Sequence, residues 1–202
     1  MQRIKDIVRN SINTKELIYS DNNLIETIEQ TIYLITNCFN NGGKVLFCGN
    51  GGSAADAQHL AAEFSGRFYF DRPPLFAEAL HVNTSYVTAV ANDYSYDEIY
   101  ARMVKAMGKE NDILVGLSTS GNSPNIIRAF LMAHEIGMRT IAFTGENGGK
   151  LKEICTHLIN VPSTDTPRIQ ESHIMIGHII CEIVESNLFK TPFTIVYKGI
   201  GW

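Results

Sequence analysis

His59 and Glu63 stand four residues apart in the alanine-rich stretch Ala-Ala-Asp-Ala-Gln-His-Leu-Ala-Ala-Glu, directly after Gly49-Asn50-Gly51-Gly52-Ser53. On a helix an i,i+4 pair shares one face. An imidazole and a carboxylate so placed can trade protons or hold a metal ion together. Such a pair is most often a surface pair, and the glycine-rich loop beside it is what favours chemistry here. That loop follows a short apolar run, residues 45–48, and leads into a helix with Ser53 near its N-cap. Strand, loop and helix of this kind present free N–H groups and a positive dipole end to an anion. A second pair of the same spacing, His178 and Glu182, lies in the apolar part of a later helix. There a buried, satisfied histidine is the competing reading. Gln170 and Glu171 open the same helix.

A second loop, Ser118-Thr119-Ser120-Gly121-Asn122-Ser123, places four hydroxyls at a helix start. Many small donors and a favourable dipole suit a phosphate monoester, against the plainer reading of a serine-rich turn with a cap. The 49–53 loop has Gly52 rather than Lys before Ser53 and lacks G-x-G-x-x-G spacing, which disfavours ATP and NAD. Neither loop is a G-x-S-x-G elbow, so the hydroxyls read as binders rather than nucleophiles. His81, His134, His157 and His173 have no local partner pattern and read as structural. His173 is the one to watch, since it shares a helix with His178.

These residues need a scaffold, and the apolar periodicity supplies one. Helices over residues 2–41 are separated by Ser20-Asp21 and stopped by Asn41-Gly42-Gly43. Strands follow at 45–48, 78–82, 112–117, 139–144 and 157–161. Helices alternate with them at 53–63, 84–92, 96–107, 125–135, 149–155 and 166–189. Ser123 as N-cap with Pro124 at the first helical position marks the start at 125. The alternation predicts an α/β fold, a doubly wound parallel five-stranded sheet flanked by helices, with ligands beyond the carboxyl ends of the strands. We divide the chain into residues 1–42, an N-terminal helical hairpin for packing or oligomerisation; 43–190, the α/β domain; and 191–202, an irregular tail. The long helix is apolar nearly all round between residues 174 and 184, which predicts a subunit interface.

A net charge of −4 with no basic stripe argues against nucleic acid. No segment has the apolar length of a membrane span or the form of a signal peptide, so the expected location is cytoplasmic. Hydrophobic residues make up 45% and charged residues 19% of the chain, enough for a real core. Cys38, Cys48, Cys155 and Cys181 are widely spaced with no CxxC, and read as reduced core thiols.

Five stretches together resemble the sugar isomerase (SIS) domain family, and within it the members that isomerise phosphorylated heptoses. They are CGNGGSAADAQHLAAE at 48–63, AND at 91–93, GLSTSGNSPN at 116–125, TGENGGKL at 144–151 and RIQESHIMIGHIICE at 168–182. The serine loop alone indicates only a sugar-phosphate SIS domain. The His59/Glu63 pair with RIQE and the later His178 is more specific. The resemblance implies that Asn50, Gly51, Gly52, Ser53, Asn92 and Asp93 hold substrate, with Glu63 and Gln170, and that Ser118, Thr119, Ser120 and Ser123 hold its phosphate. It implies one zinc ion per subunit on His59, Glu63, Gln170 and His178, and Glu63 and His178 as the acid/base pair. It implies a homotetramer with active sites between subunits. The activity implied is aldose–ketose isomerisation of sedoheptulose 7-phosphate for surface-glycan synthesis. Ala54-Ala55, residues 68–83 and Pro167 fall where such proteins vary. Two alternatives remain: a non-catalytic SIS adaptor, binding a replication initiator or sensing sugar phosphates, and an isomerase of another phosphosugar. The quartet His59, Glu63, Gln170 and His178 favours the enzyme over the adaptor.

Helix geometry constrains that quartet. On one continuous helix Gln170 and His178 are about 12 Å apart along the axis, whereas zinc ligands lie about 2 Å from one ion. Either the helix begins after Gln170, or the two residues serve a site from different subunits.

Overall fold

Apolar side chains alternate along the strands and sort the core into two layers. In the computed structural model, which describes residues 1–189, the chain opens with α1 (Gln2–Ser20) and α2 (Asn22–Asn40). There follow β1 (Val45–Gly49), α3 (Gly52–Ser65), β2 (Ala77–Ala79) and α4 (Thr84–Asp93). A 3₁₀ turn at Tyr96–Glu98 leads into α5 (Ile99–Met107), then β3 (Ile113–Leu117), α6 (Pro124–Glu135) and β4 (Arg139–Gly145). A 3₁₀ segment at Gly149–Glu153, β5 (His157–Val161) and α7 (Thr166–Phe189) complete it. The irregular tail expected at 191–202 lies outside the described residues.

All strand pairs are parallel, in the order β2-β1-β3-β4-β5. The expected five-stranded doubly wound sheet is therefore present. Val45, Phe47, Ile113, Val115, Ile141 and Phe143 point to one face, where α2, α3 and α7 cover them. Leu46, Cys48, Leu114 and Ala142 point to the other, under α4, α5 and α6. The chain runs outward in both directions from β1 and β3, so the crevice at the carboxyl ends of these two strands is the topological switch point.

Asp21 caps α2, its carboxylate accepting from the N–H groups of Asn23 and Leu24. Ile28, Ile32 and Ile35 of α2 enter the core, whereas Ile4, Ile7, Val8 and Ile12 of α1 stay exposed. α1 leans on α7, with Ser11 donating to Glu171 at 2.8 Å and Arg168 to the Ile7 carbonyl at 3.1 Å.

The structure refines the expected elements, and the helix expected over 96–107 opens as the 3₁₀ turn at Tyr96–Glu98. Gly51 occupies the cap position of α3, two residues before Ser53, at φ 55°, a positive φ that glycine adopts without strain. β2 is shorter than expected and begins earlier, because only Ala77–Ala79 find partners along β1. Residues 149–153 form a 3₁₀ segment rather than a longer helix.

His173 is fully buried, edge-on to Phe143, with Nε2 3.0 Å from the Thr144 carbonyl and Nδ1 without a partner among the described residues. Burial lowers its pKa to about 4, and the Thr144 carbonyl only partly offsets this. The unfolded chain therefore takes up a proton near pH 6.5 that the folded chain refuses until about pH 4. Stability rises with pH across that window, and roughly 3 kcal/mol is lost on going from pH 7 to pH 4. Urea unfolding of wild type and His173→Gln should show the wild type losing this increment relative to the variant. A difference between the two that stays flat with pH would contradict it.

Candidate active site

The 49–53 loop leaves β1 and turns into α3; the 118–123 loop leaves β3 and turns into α6. Side chains fasten the two across the switch point. Asn50 and Asn125 exchange reciprocal amide hydrogen bonds, both 2.9 Å, and the Tyr96 hydroxyl donates to the Asn50 Oδ1 at 3.1 Å. Tyr100, fully buried, donates its hydroxyl to the Gly49 carbonyl. The Asn50 side chain is thus occupied by the protein, and what this loop offers a ligand is chiefly backbone.

In the second loop Ser123 sits at the N-cap position of α6, but its hydroxyl does not cap the helix. It faces the Ser118 hydroxyl at 2.9 Å instead. This departs from the expected capping role and leaves the pair aimed at one another at the helix mouth. Thr119 and Ser120 line a cleft of about 300 Å³ with Gly145, Ser163 and Thr166. The cleft lies over the ends of β3 and β4 and the start of α7, a setting suited to a phosphate. Asn92 and Asp93 are exposed at the end of α4, with Asn92 donating to Asp93 at 2.8 Å.

α3 and α7 run side by side on the same face of the sheet. Their close approach depends on Gly177, where a Cβ would fall 2.5 Å from Leu60. His59 and Glu63 on α3 thereby meet His178 on α7. His59 Nε2 is 3.1 Å from Glu63 Oε1 and 3.0 Å from His178 Nε2, and one ligating atom from each residue lies within 4.8 Å of the others. His178 is thus part of a cluster, not an isolated core histidine. Two ring nitrogens facing at 3.0 Å need a proton on one of them or a cation between them. Ligands around tetrahedral zinc, with bonds of about 2.0–2.1 Å, stand about 3.3 Å apart. The donor set and spacing fit a metal ion. Asp56, one turn before His59, is half-buried; burial raises its carboxyl, and the nearby His59 and His178 partly offset this.

Gln170 does not join the three within one chain. α7 is continuous from Thr166, which excludes a helix start beyond Gln170. The Gln170 amide packs on Gly52, its Nε2 2.7 Å from where a Cβ on that glycine would sit. The structure therefore sets Gln170 beside the first loop and His178 two turns further along.

Several residues around the site had no motif to announce them. Tyr96 and Tyr100 hold the first loop, together with Asn125, which falls in the 116–125 stretch with no role implied for it there. Arg72 and Glu185, 2% and 0% exposed at the side chain, join the loop after α3 to α7 at 2.9 Å. Glu185 could have been found: it falls on the stripe of Ile176, Ile180, Cys181 and Val184, and a carboxylate on a buried stripe requires a partner.

This sheet order, with ligand loops at the switch point and a serine-rich loop at a helix mouth, is the architecture of a sugar-phosphate-binding α/β domain. The SIS domain model matches residues 12–145. The phosphoheptose isomerase of Aneurinibacillus thermoaerophilus is 51% identical over 193 residues, 96% of this chain and 98% of that protein. The phosphoheptose isomerase of Clostridium acetobutylicum is 54% identical over 182 residues, 90% of this chain and 93% of its own. Among solved structures, the phosphoheptose isomerase of Neisseria gonorrhoeae superposes with a TM-score of 0.86 at 44% identity, covering 92% of this chain and 98% of that one. That of Francisella tularensis gives 0.88 at 38% identity, covering 92% and 97%. The chain belongs to the SIS domain family and, within it, to the phosphoheptose isomerases.

Proposed function

We infer that this protein interconverts sedoheptulose 7-phosphate and D-glycero-D-manno-heptose 7-phosphate. The observation that carries this is the convergence of His59, Glu63 and His178 on one point between α3 and α7, in a chain half identical to phosphoheptose isomerases over nearly its whole length. Among the described residues no helix is long and apolar enough to cross a membrane.

Aldose–ketose isomerisation moves a proton between adjacent carbons through an enediolate. It needs a base at carbon, an acid/base at the oxygens and something to stabilise the developing charge. Glu63 takes the proton from carbon, and His178 serves the oxygens. The reverse assignment is chemically open, because a carboxylate bound to a metal is a weaker base. The hydroxyls and N–H groups of residues 118–123 hold the phosphate, and Asn50, Gly51, Gly52, Ser53, Asn92 and Asp93 hold the sugar end. A metal ion, zinc by the donor set, would sit on His59, Glu63 and His178 and polarise the carbonyl as a Lewis acid. Gln170 of a neighbouring subunit would complete its ligands, within a homotetramer.

A coupled assay with sedoheptulose 7-phosphate, with and without a chelator, tests this reading. Turnover by the zinc-loaded protein, falling at least about tenfold on chelation and restored by added zinc, is the expected result. No turnover in any condition would overturn it.

A further inference from the structure

We propose that Arg72 and Glu185 form a positioning pair that sets Glu63 and His178 against each other, an inference that rests on the isomerase reading of this cluster. The Glu185 carboxylate is fully buried on α7 and receives four hydrogen bonds. Its Oε1 accepts from Phe68 N–H at 2.9 Å and Arg72 Nε at 2.9 Å; its Oε2 accepts from Tyr69 N–H at 2.7 Å and Phe70 N–H at 3.1 Å. Three consecutive N–H groups closing on one carboxylate make an anion nest out of the loop after α3. The rest of the guanidinium is spent on three carbonyls at the end of α3 and on that of the neighbouring Pro73. Nη2 donates to Glu63 O at 2.9 Å, and Nη1 to Phe64 O at 2.7 Å, Gly66 O at 3.1 Å and Pro73 O at 3.1 Å.

The pair therefore ends on one cluster residue, Glu63, and on the helix that carries a second, His178. On α3 it holds the carbonyl of Glu63 itself, completing the helix end with a cation where the dipole favours one. On α7 it is fixed two turns beyond His178, about 10 Å along the helix. The nested loop also brings the Phe68 ring to 5.7 Å from the His178 ring. Arg72 is in turn covered by Phe189, with its guanidinium 5.6 Å from the ring centre. A buried ion pair is a poor source of net stability compared with apolar packing of the same volume. What this one supplies is a fixed distance. The glycine contact at Gly177 lets the two helices approach, and the ion pair sets how far they slide and where α3 stops. A shift of a few tenths of an ångström there is passed to the ligand atoms through the backbone of Glu63 and the register of α7, and the outer partners of a metal site commonly control its affinity about ten- to a hundredfold.

Arg72→Lys keeps the charge but loses the fork that reaches four carbonyls. In the folded variant, checked by circular dichroism and elution volume, we expect kcat to fall about 10- to 100-fold with KM changed less than about threefold, because the phosphate loop is untouched. Cobalt(II) alone, titrated by its visible absorption, should bind about tenfold more weakly than to wild type. A folded Arg72→Lys variant with wild-type kcat and cobalt affinity overturns the proposal. Should the variant not fold, the wild type answers instead. Coupling is reciprocal, so zinc must slow hydrogen exchange at the Phe68, Tyr69 and Phe70 amides more than at residues 118–123. Exchange at those amides indifferent to zinc would refute the pair's role. Cobalt affinity and amide exchange need no turnover, so weaker cobalt binding in a protein without isomerase activity would overturn the function while sustaining the pair.

Discussion

Glu63→Gln should lower kcat by about three orders of magnitude with little change in KM, the range expected when a positioned acid/base group is removed. The substitution is nearly isosteric. The new amide can still point an oxygen at His59, whose Nε2 stands 3.1 Å from the Glu63 carboxylate, but it cannot take up a proton. The carbonyl that Arg72 holds is main chain and is unaffected. His178→Gln removes the opposite partner and should cost a similar factor. The two readings of Glu63, base or ligand, separate on one further measurement. If it serves chiefly as a ligand, saturating zinc restores much of the lost rate. If it is the base, added zinc restores nothing and the solvent exchange of the substrate's carbon-bound proton stops as well. Wild-type turnover in Glu63→Gln at ordinary zinc concentrations would remove this residue from the mechanism.

Much of this could be read from residue order, and the limits are physical. Strand and helix order followed from apolar periodicity, because the sheet buries both faces and its strands carry near-continuous apolar runs. The i,i+4 relation of His59 and Glu63 is local and needs only a helix. That His178 lies 3.0 Å from His59 is a packing fact across 119 residues, and no spacing rule contains it. The helix ends were less legible. Ser123 has the residue type of a cap, yet its hydroxyl is paired with that of Ser118, five residues earlier in the same loop, instead of with the helix N–H groups. Gly51 takes the α3 cap position because the turn out of β1 requires positive φ there. The Arg72–Glu185 pair was hidden for a different reason. Glu185 sits on a buried stripe that asks for a partner, but nothing in the segment around Arg72 marks it as that partner. Helix arithmetic did carry one long-range deduction, since Gln170 and His178 on a continuous α7 cannot meet at one ion within a chain.

Mixing two inactive variants should therefore restore activity. Gln170→Ala in one preparation and His178→Gln in another, each with activity reduced about 100-fold or more, are unfolded together, refolded and assayed. The geometry behind this is simple. If two α7 helices pack antiparallel about a two-fold axis, residue i of one faces residue j of the other with i + j constant, as an isologous contact demands. An axis near residue 174 puts Gln170 of one subunit opposite His178 of the other. The surface there permits it: Ile174 and Met175 are only half-buried within one chain, and Ile179 is 38% exposed. The apolar side chains of α1, with Ile4 67% and Val8 53% exposed, add a second face that needs covering. In a mixed dimer of this kind one site receives both substitutions and the other receives neither. The unsubstituted site turns over at the wild-type rate, so activity should rise well above that of either parent, in proportion to the fraction of hybrids. If instead all ligands came from one chain, every site in the mixture would carry one substitution and no activity would return. Val8→Asp would separate assembly from ligand supply. If α1 seals the oligomer, this variant elutes as a smaller species and loses activity in parallel, and full activity in that smaller species would contradict a site shared between subunits.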